Sequence, residues 1–144
     1  MLLILIISFF TFALGNNCIA EVEVELWGNC YNIQTTTQLN VSGAGLSGEI
    51  PPQIGSLSNL YLIDLSNNRL SGQIPSEIGN LINLNSLRLF KNNLMGKIPL
   101  SFKNLIELEF LYIQENHFKG NVSSSISGLK KLKHFNFDSN QITD

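Results

Sequence analysis

One 24-residue stretch constrains this chain more than any other: residues 60–83, reading LYLIDLSNNRLSGQIPSEIGNLIN. It recurs without insertion over 84–107 and 108–131, and counting back by the same step gives 36–59. A part-copy follows over 132–144. Four full copies on a fixed clock mark a solenoid, in which each unit buries its apolar side chains only against its neighbours.

Within each copy the apolar residues fall at positions 1, 4, 6, 11, 15, 19 and 22. In the second copy these are Leu60, Ile63, Leu65, Leu70, Ile74, Ile78 and Leu81, and the third and fourth keep the pattern. The first departs only at its opening residue, where Thr36 stands. Alternation at positions 4 and 6 is that of a strand with one buried face. No later part of the copy carries a full helical stripe, so the spacing predicts a return through short irregular or 3₁₀ segments.

Position 9 is Asn68, Asn92, Asn116 and, in the part-copy, Asn140. A buried amide where the chain leaves the strand can satisfy backbone groups of adjacent coils, and a buried polar side chain requires such partners. These four are therefore expected to form a structural ladder, which Ala44 breaks in the first copy.

The string L-x-x-L-x-L-x-x-N-x-L-x-G-x-I-P, present over 60–75 and 84–99, resembles the leucine-rich repeat in its 24-residue plant-specific form. Similar repeats occur in bacterial surface proteins. The resemblance covers 36–144 and implies a mostly β solenoid of the α/β type. In it, a right-handed coil lays parallel strands along a concave face, and the G-x-I-P segment adds a short second strand and a twist. Gly48, Gly72, Gly96 and Gly120 keep the glycine, whereas Val122 and Ser123 replace Ile-Pro in the fourth copy.

Ahead of the repeats, residues 21–35 read as an N-terminal cap. In EVEVELW the spacing predicts a strand with Val22, Val24 and Leu26 on one face and glutamates on the other. Trp27-Gly28 followed by Cys30 is similar to the end of plant-type caps, although those pair two closely spaced cysteines. Residues 1–14 are almost wholly apolar, too short for a membrane span and fitting a secretory leader, without the usual basic start. Cleavage can follow Gly15 or Ala20. The second is preferred, giving a leader of 1–20. Cleavage after Gly15 would allow a Cys18–Cys30 bridge in an oxidising compartment, whereas cleavage after Ala20 leaves Cys30 alone.

Leu132, Phe135, Phe137 and Ile142 begin a fifth copy, and nothing polar covers it. A solenoid end without such cover points either to a longer protein or to self-association through the open end. Net charge is −2 and neither half of the chain is extreme, which gives no support to nucleic-acid binding. Any membrane attachment is expected through regions outside this chain.

Outward strand positions form columns on the concave face. Among them, Arg88, Phe90, Lys91, Phe110, Tyr112, Gln114 and Glu115 combine aromatic and charged groups of the kind that dominate binding hot spots, with Phe90, Phe110 and Tyr112 expected to face solvent. No nucleophile elbow, metal-ligand spacing or phosphate loop accompanies His117 or His134, and Asp64 and Glu115 fall on different columns. No catalysis, cofactor or metal is expected. Asn40 and Asn121 stand in Asn-x-Ser glycosylation sequons. The resemblance thus implies a secreted or cell-surface module that binds protein, peptide or polysaccharide through its concave face. A receptor-like ectodomain, a bacterial or algal adhesion protein and a soluble inhibitor of a wall-degrading enzyme remain as fuller identities.

Overall fold

The computed structural model describes residues 18–143. The expected leader therefore lies outside the described residues for its first seventeen positions, and its last three belong to the cap. There, β1 (Glu23–Leu26) and β2 (Asn29–Asn32) pair antiparallel. Trp27 and Gly28 turn between them at φ 47° and 78°, the left-handed pair that a two-residue hairpin loop of this twist requires. Cys18 is disulfide-bonded to Cys30, with 5.4 Å between Cα atoms. Leu26 is fully buried and Val24 nearly so, but Val22 is 42% exposed. The chain turns at Glu21 (φ 63°), and Val22 N and Glu23 N both donate to Ile19 O, so the strand begins one residue after Val22.

Each of five coils then contributes one strand to each of two parallel sheets. The first coil carries β3 (Gln38–Asn40) and β4 (Ser47–Gly48), and the second β5 (Leu62–Asp64) and β6 (Arg69–Gly72). The third has β7 (Ser86–Arg88) and β8 (Asn93–Gly96), the fourth β9 (Phe110–Tyr112) and β10 (His117–Asn121), and the fifth β11 (His134–Asn136) and β12 (Gln141–Thr143). In the first sheet Gln38, Leu62, Ser86, Phe110 and His134 stand in one row, so equivalent positions of every repeat face each other.

The second sheet is set differently. Ser47 faces Arg69, Ser71 faces Asn93, Met95 faces His117 and Lys119 faces Gln141, so the chain slips two residues against its own repeat at each coil. An even slip preserves which side chains point inward. It sets Leu70, Leu94, Phe118 and Ile142 beside Gly48, Gly72, Gly96 and Gly120, which take φ between 75° and 85°.

The core runs as one column between the sheets. All seven apolar positions of the second and third coils are buried to 4% exposure or less, and those of the fourth to 6% except half-buried Ile126. At the ends the seal loosens: Val41 and Leu46 in the first coil and Leu132, Phe135 and Ile142 in the fifth are only half-buried. Trp27 closes the first end, its indole N–H donating to Glu49 O at 3.2 Å.

The Asn amides link the coils. Asn92 Nδ2 donates to Leu89 O in its own coil (3.1 Å) and to Leu65 O in the one before (2.9 Å), while its Oδ1 accepts from Leu70 N at 2.9 Å. Asn68 repeats the pattern one coil earlier, and Asn116 and Asn140 one and two coils later. One residue before each, the backbone is left-handed: Asn67, Lys91, Glu115 and Ser139 have φ 55–56°, and Gly43 takes the corresponding place with φ 66°. Only Gly and Asn adopt that conformation at small cost.

The return segments are 3₁₀ turns over Pro52–Ser56, Ser76–Asn80 and Leu100–Asn104. Proline restricts the residue before it to extended backbone, which keeps Ile50, Ile74 and Ile98 out of a helix. Val122 precedes Ser123 instead, takes φ −99° and ψ −14°, and starts α1 (Ser123–Ile126), with Ser125 N and Ile126 N both donating to Val122 O. These returns pack closely. A Cβ on Gly55 would lie 2.5 Å from Glu77 O, and one on Gly79 2.5 Å from Ser101 Cβ. The third coil has Lys103 where the earlier ones have those glycines, and in the fourth Gly128 lies where a Cβ would overlap Lys103 O. Among the described residues no helix is long and apolar enough to cross a membrane.

Three stability outcomes follow from the linking turn. Asn92→Ala leaves the buried Leu70 N–H without its acceptor, while Leu65 O and Leu89 O keep a donor from Asn68 and Asn116, and it should cost about 1–3 kcal/mol in a denaturant titration; Asn140→Ala, half-exposed, should cost roughly 1 kcal/mol. Lys91→Asn should stabilise by about 0.5–1 kcal/mol by relieving the left-handed backbone, because the exposed ion pair it removes contributes little.

Candidate ligand-binding face

Positions 3, 5 and 7 of each coil point away from the core because positions 4 and 6 point into it. With equivalent residues in register, they form a grid whose rows are about 4.8 Å apart. Its centre is Ser86, Arg88 and Phe90 from the third coil, set across from Phe110, Tyr112 and Gln114 from the fourth. Leu62, Asp64 and Ser66 border it on one side, and His134, Asn136 and Asp138 on the other.

The second coil's border is a closed network. Asp64 and Ser66 are both buried, and Asp64 Oδ1 accepts from Ser66 N (3.1 Å) and Ser66 Oγ (2.6 Å). Ser66 Oγ reaches on to Ser42 Oγ at 2.8 Å. Asp64 Oδ2 lies 3.6 Å from an Arg88 terminal nitrogen, and the guanidinium stands 6.0 Å from the Tyr112 ring centre. On the other flank Phe110 stacks on His134, ring centres 5.2 Å apart and planes within 6°. Along the rim Lys91 Nζ pairs with Glu115 Oε1 at 3.9 Å.

The centre is not closed. Ser86 Oγ, Arg88 Nε and Gln114 Oε1 are covered by neighbouring atoms and make no hydrogen bond. A buried polar atom left without a partner costs about 1–3 kcal/mol. All three lie in the same two coils and on the same face.

The seven residues expected from sequence thus share one surface, with a difference in exposure. Phe90, Phe110 and Tyr112 are half-buried rather than open to solvent; the Arg88 guanidinium stands over Tyr112, and His134 stacks on Phe110. Lys91 and Glu115 stand at the rim, beyond the strands. Sequence reasoning placed neither Ser86 nor Asp64 among the binding residues, weighing Asp64 only as a carboxylate partner for Glu115. The signal for Asp64 was its place one coil before Arg88 in the same column, where an opposite charge completes a pair. Of the remaining candidates, His117 lies on the second sheet, away from His134 on the first. Asn40 and Asn121 are both exposed, each accepting from the N–H of the sequon serine, at 3.3 and 2.8 Å. Cys18, Glu23 and Cys30 have their ligand atoms within 4.8 Å of one another, but both sulfurs are in the bridge.

A second concavity, about 1150 Å³, lies over the return segments and is lined by Glu49, Gln73, Met95, Lys97, Leu100 and Asn121, among others. Two of its serines, Ser101 and Ser125, already donate to Ser76 O and Ile98 O. It has none of the unpartnered atoms of the concave face.

The family model described as Leucine Rich Repeat matches residues 59–81 and 83–105. No curated protein matches the chain. Solved structures do. The plant peptide hormone receptor RGFR1, in complex with RGF2, is 38% identical with a TM-score of 0.66 over 68% of this chain and 16% of the receptor. The BIR2 ectodomain from Arabidopsis thaliana is 32% identical with a TM-score of 0.70 over 81% of this chain and 58% of its own. The ectodomain of the receptor kinase SOBIR1 from Arabidopsis thaliana is 27% identical with a TM-score of 0.67 over 88% and 71%. This chain therefore spans about a sixth of the length of the first of these. With two repeats matched directly and the other coils stacked on them in the same register, the chain belongs to the leucine-rich repeat family.

Proposed function

We propose that this chain is an extracellular recognition module that binds a peptide or an extended protein segment on the concave face of its third and fourth coils. The observation that carries this reading is the coincidence, on one small surface, of three buried polar atoms without partners and three half-buried aromatic rings. A scaffold needs neither. The first sheet satisfies its backbone between coils, and the core lies on the opposite side of the strands. Aromatic walls supply contact area at low entropic cost, and the unpartnered atoms supply direction. The likeness to RGFR1, solved in complex with RGF2, supports a peptide or protein ligand over other classes. Binding and release would involve no covalent step.

The same reading places the chain outside the cell, delivered by a leader that ends at Gly15. Cleavage there retains Cys18 for its bridge to Cys30, whereas cleavage after Ala20 would remove it. That bridge suits an oxidising compartment. Mass spectrometry of the secreted product should find Asn16 at its start, and a product starting at Glu21 would contradict this.

The binding reading is tested by panning a library of displayed random hexapeptides against the immobilised chain. Enrichment is expected for the native chain and at least a tenfold loss for the Phe110→Ala/Tyr112→Ala double variant, with its unfolding transition still cooperative. Equal enrichment by both would remove this face as the site.

A further inference from the structure

We infer that the centre of the concave face selects an uncharged amide-bearing group and discriminates against a carboxylate. This rests on the reading of that face as the binding site and adds the chemistry of what it takes.

The grid and its rim hold two cations, Arg88 and Lys91, against three carboxylates, Asp64, Glu115 and Asp138. Each cation already has a carboxylate within 4 Å: Arg88 lies 3.6 Å from Asp64, and Lys91 lies 3.9 Å from Glu115. Asp64 is further fixed by two hydrogen bonds from Ser66 and is buried, so it cannot swing away to release Arg88. An anionic ligand would meet no unpaired positive charge, and would approach Asp138 across one row. Opposing like charges count against a partner as strongly as good contacts count for it.

The unpartnered atoms define what is wanted instead. Arg88 Nε–H is a donor, Gln114 Oε1 is an acceptor, and Ser86 Oγ can act as either. Arg88 and Gln114 lie diagonally across two paired strands, where long side chains reach one another. Both side chains are half-buried rather than enclosed, so a turn about Cγ–Cδ, which moves Nε in Arg88 and Oε1 in Gln114, would aim the covered atom at the hollow. A primary amide, such as an Asn or Gln side chain, presents a carbonyl and an NH₂ in one plane. It answers the donor and the acceptor together. The rings of Phe90, Phe110 and Tyr112 then flank it and favour an apolar or aromatic neighbour in the ligand.

Three small probes sharing one ring separate the possibilities: N-acetylphenylalaninamide (neutral), N-acetylphenylalanine (anionic) and phenylalaninamide (cationic). Each is titrated at millimolar concentration into the isotope-labelled full chain, following the Arg88 Nε–H, the Gln114 side-chain amide and the Ser86 backbone signals. The neutral probe is expected to move these signals with at least fivefold tighter binding than either charged probe. Gln114→Leu should weaken it about tenfold, consistent with loss of one well-formed hydrogen bond. Asp64→Asn keeps an acceptor for Ser66 but frees Arg88, so the carboxylate probe should gain at least fivefold over its binding to the native chain. A carboxylate or cationic probe that binds the native chain as tightly as the neutral one overturns the chemistry while leaving the site in place. Probes that leave all three residues unmoved overturn the site itself. An Asp64→Asn chain that folds but does not gain affinity for the carboxylate overturns the charge-pairing argument.

Discussion

A single side-chain amide at the exit of every first-sheet strand after β3 holds this molecule in register. Asn68, Asn92, Asn116 and Asn140 each bridge backbone of two coils at a point where the chain turns away from the strand and its own groups would go unpaired. The turn needs a left-handed residue just before the Asn, and the amide then lies beneath it. No glutamine or hydroxyl of ordinary length supplies both donors and the acceptor from that place. Because each amide reaches into the preceding coil as well as its own, no coil is satisfied without its neighbour. The fixed repeat length follows: an inserted residue would carry the amide away from the carbonyl it must meet.

The two sheets use that regularity differently. In the first, equivalent positions stand opposite one another, so a residue at position 5 has another position 5 on each side. Side chains there form pairs across coils, as Asp64 does with Arg88, and a short run of coils can assemble a surface from a few outward residues. In the second, the two-residue slip sets unlike positions side by side and pairs each apolar residue with a glycine of the coil before. That sheet closes the core and leaves little room for variation. The unpartnered polar atoms and the half-buried rings of the third and fourth coils lie on the first.

Much of this was legible in the sequence. The repeat length gave the first-sheet register directly, since strands separated by one repeat must align if their inward positions 4 and 6 share a core. The burial of Ile63, Leu65 and Leu70 follows from the same pattern, as does the placement of Arg88, Phe90, Phe110, Tyr112 and Gln114 on one face. What escaped depended on contacts between coils that no single repeat encodes. Phe110 is half-covered because His134 happens to follow it by one repeat, and Ser86 matters because its neighbours give its hydroxyl nothing to bond. Val22 fits an alternating pattern but follows directly on a left-handed turn at Glu21, a conformation that alternation cannot signal. The helical return of the fourth coil was only half visible: the missing proline was plain, but not that Val122 would then turn helical.

The tight packing of the return segments carries a consequence for how such an array can change. Gly55 and Gly79 leave space for whatever stands opposite in the following coil, whereas Lys103 fills that space and relies on Gly128 to yield from the other side. The third and fourth units are therefore a mated couple. Recombination that split them, or copied the third without its follower, would drive a backbone oxygen into a side chain. Gain and loss of units in this array is thus not equally free at every joint, and an engineer exchanging modules would do best to cut ahead of the Lys103 coil rather than behind it.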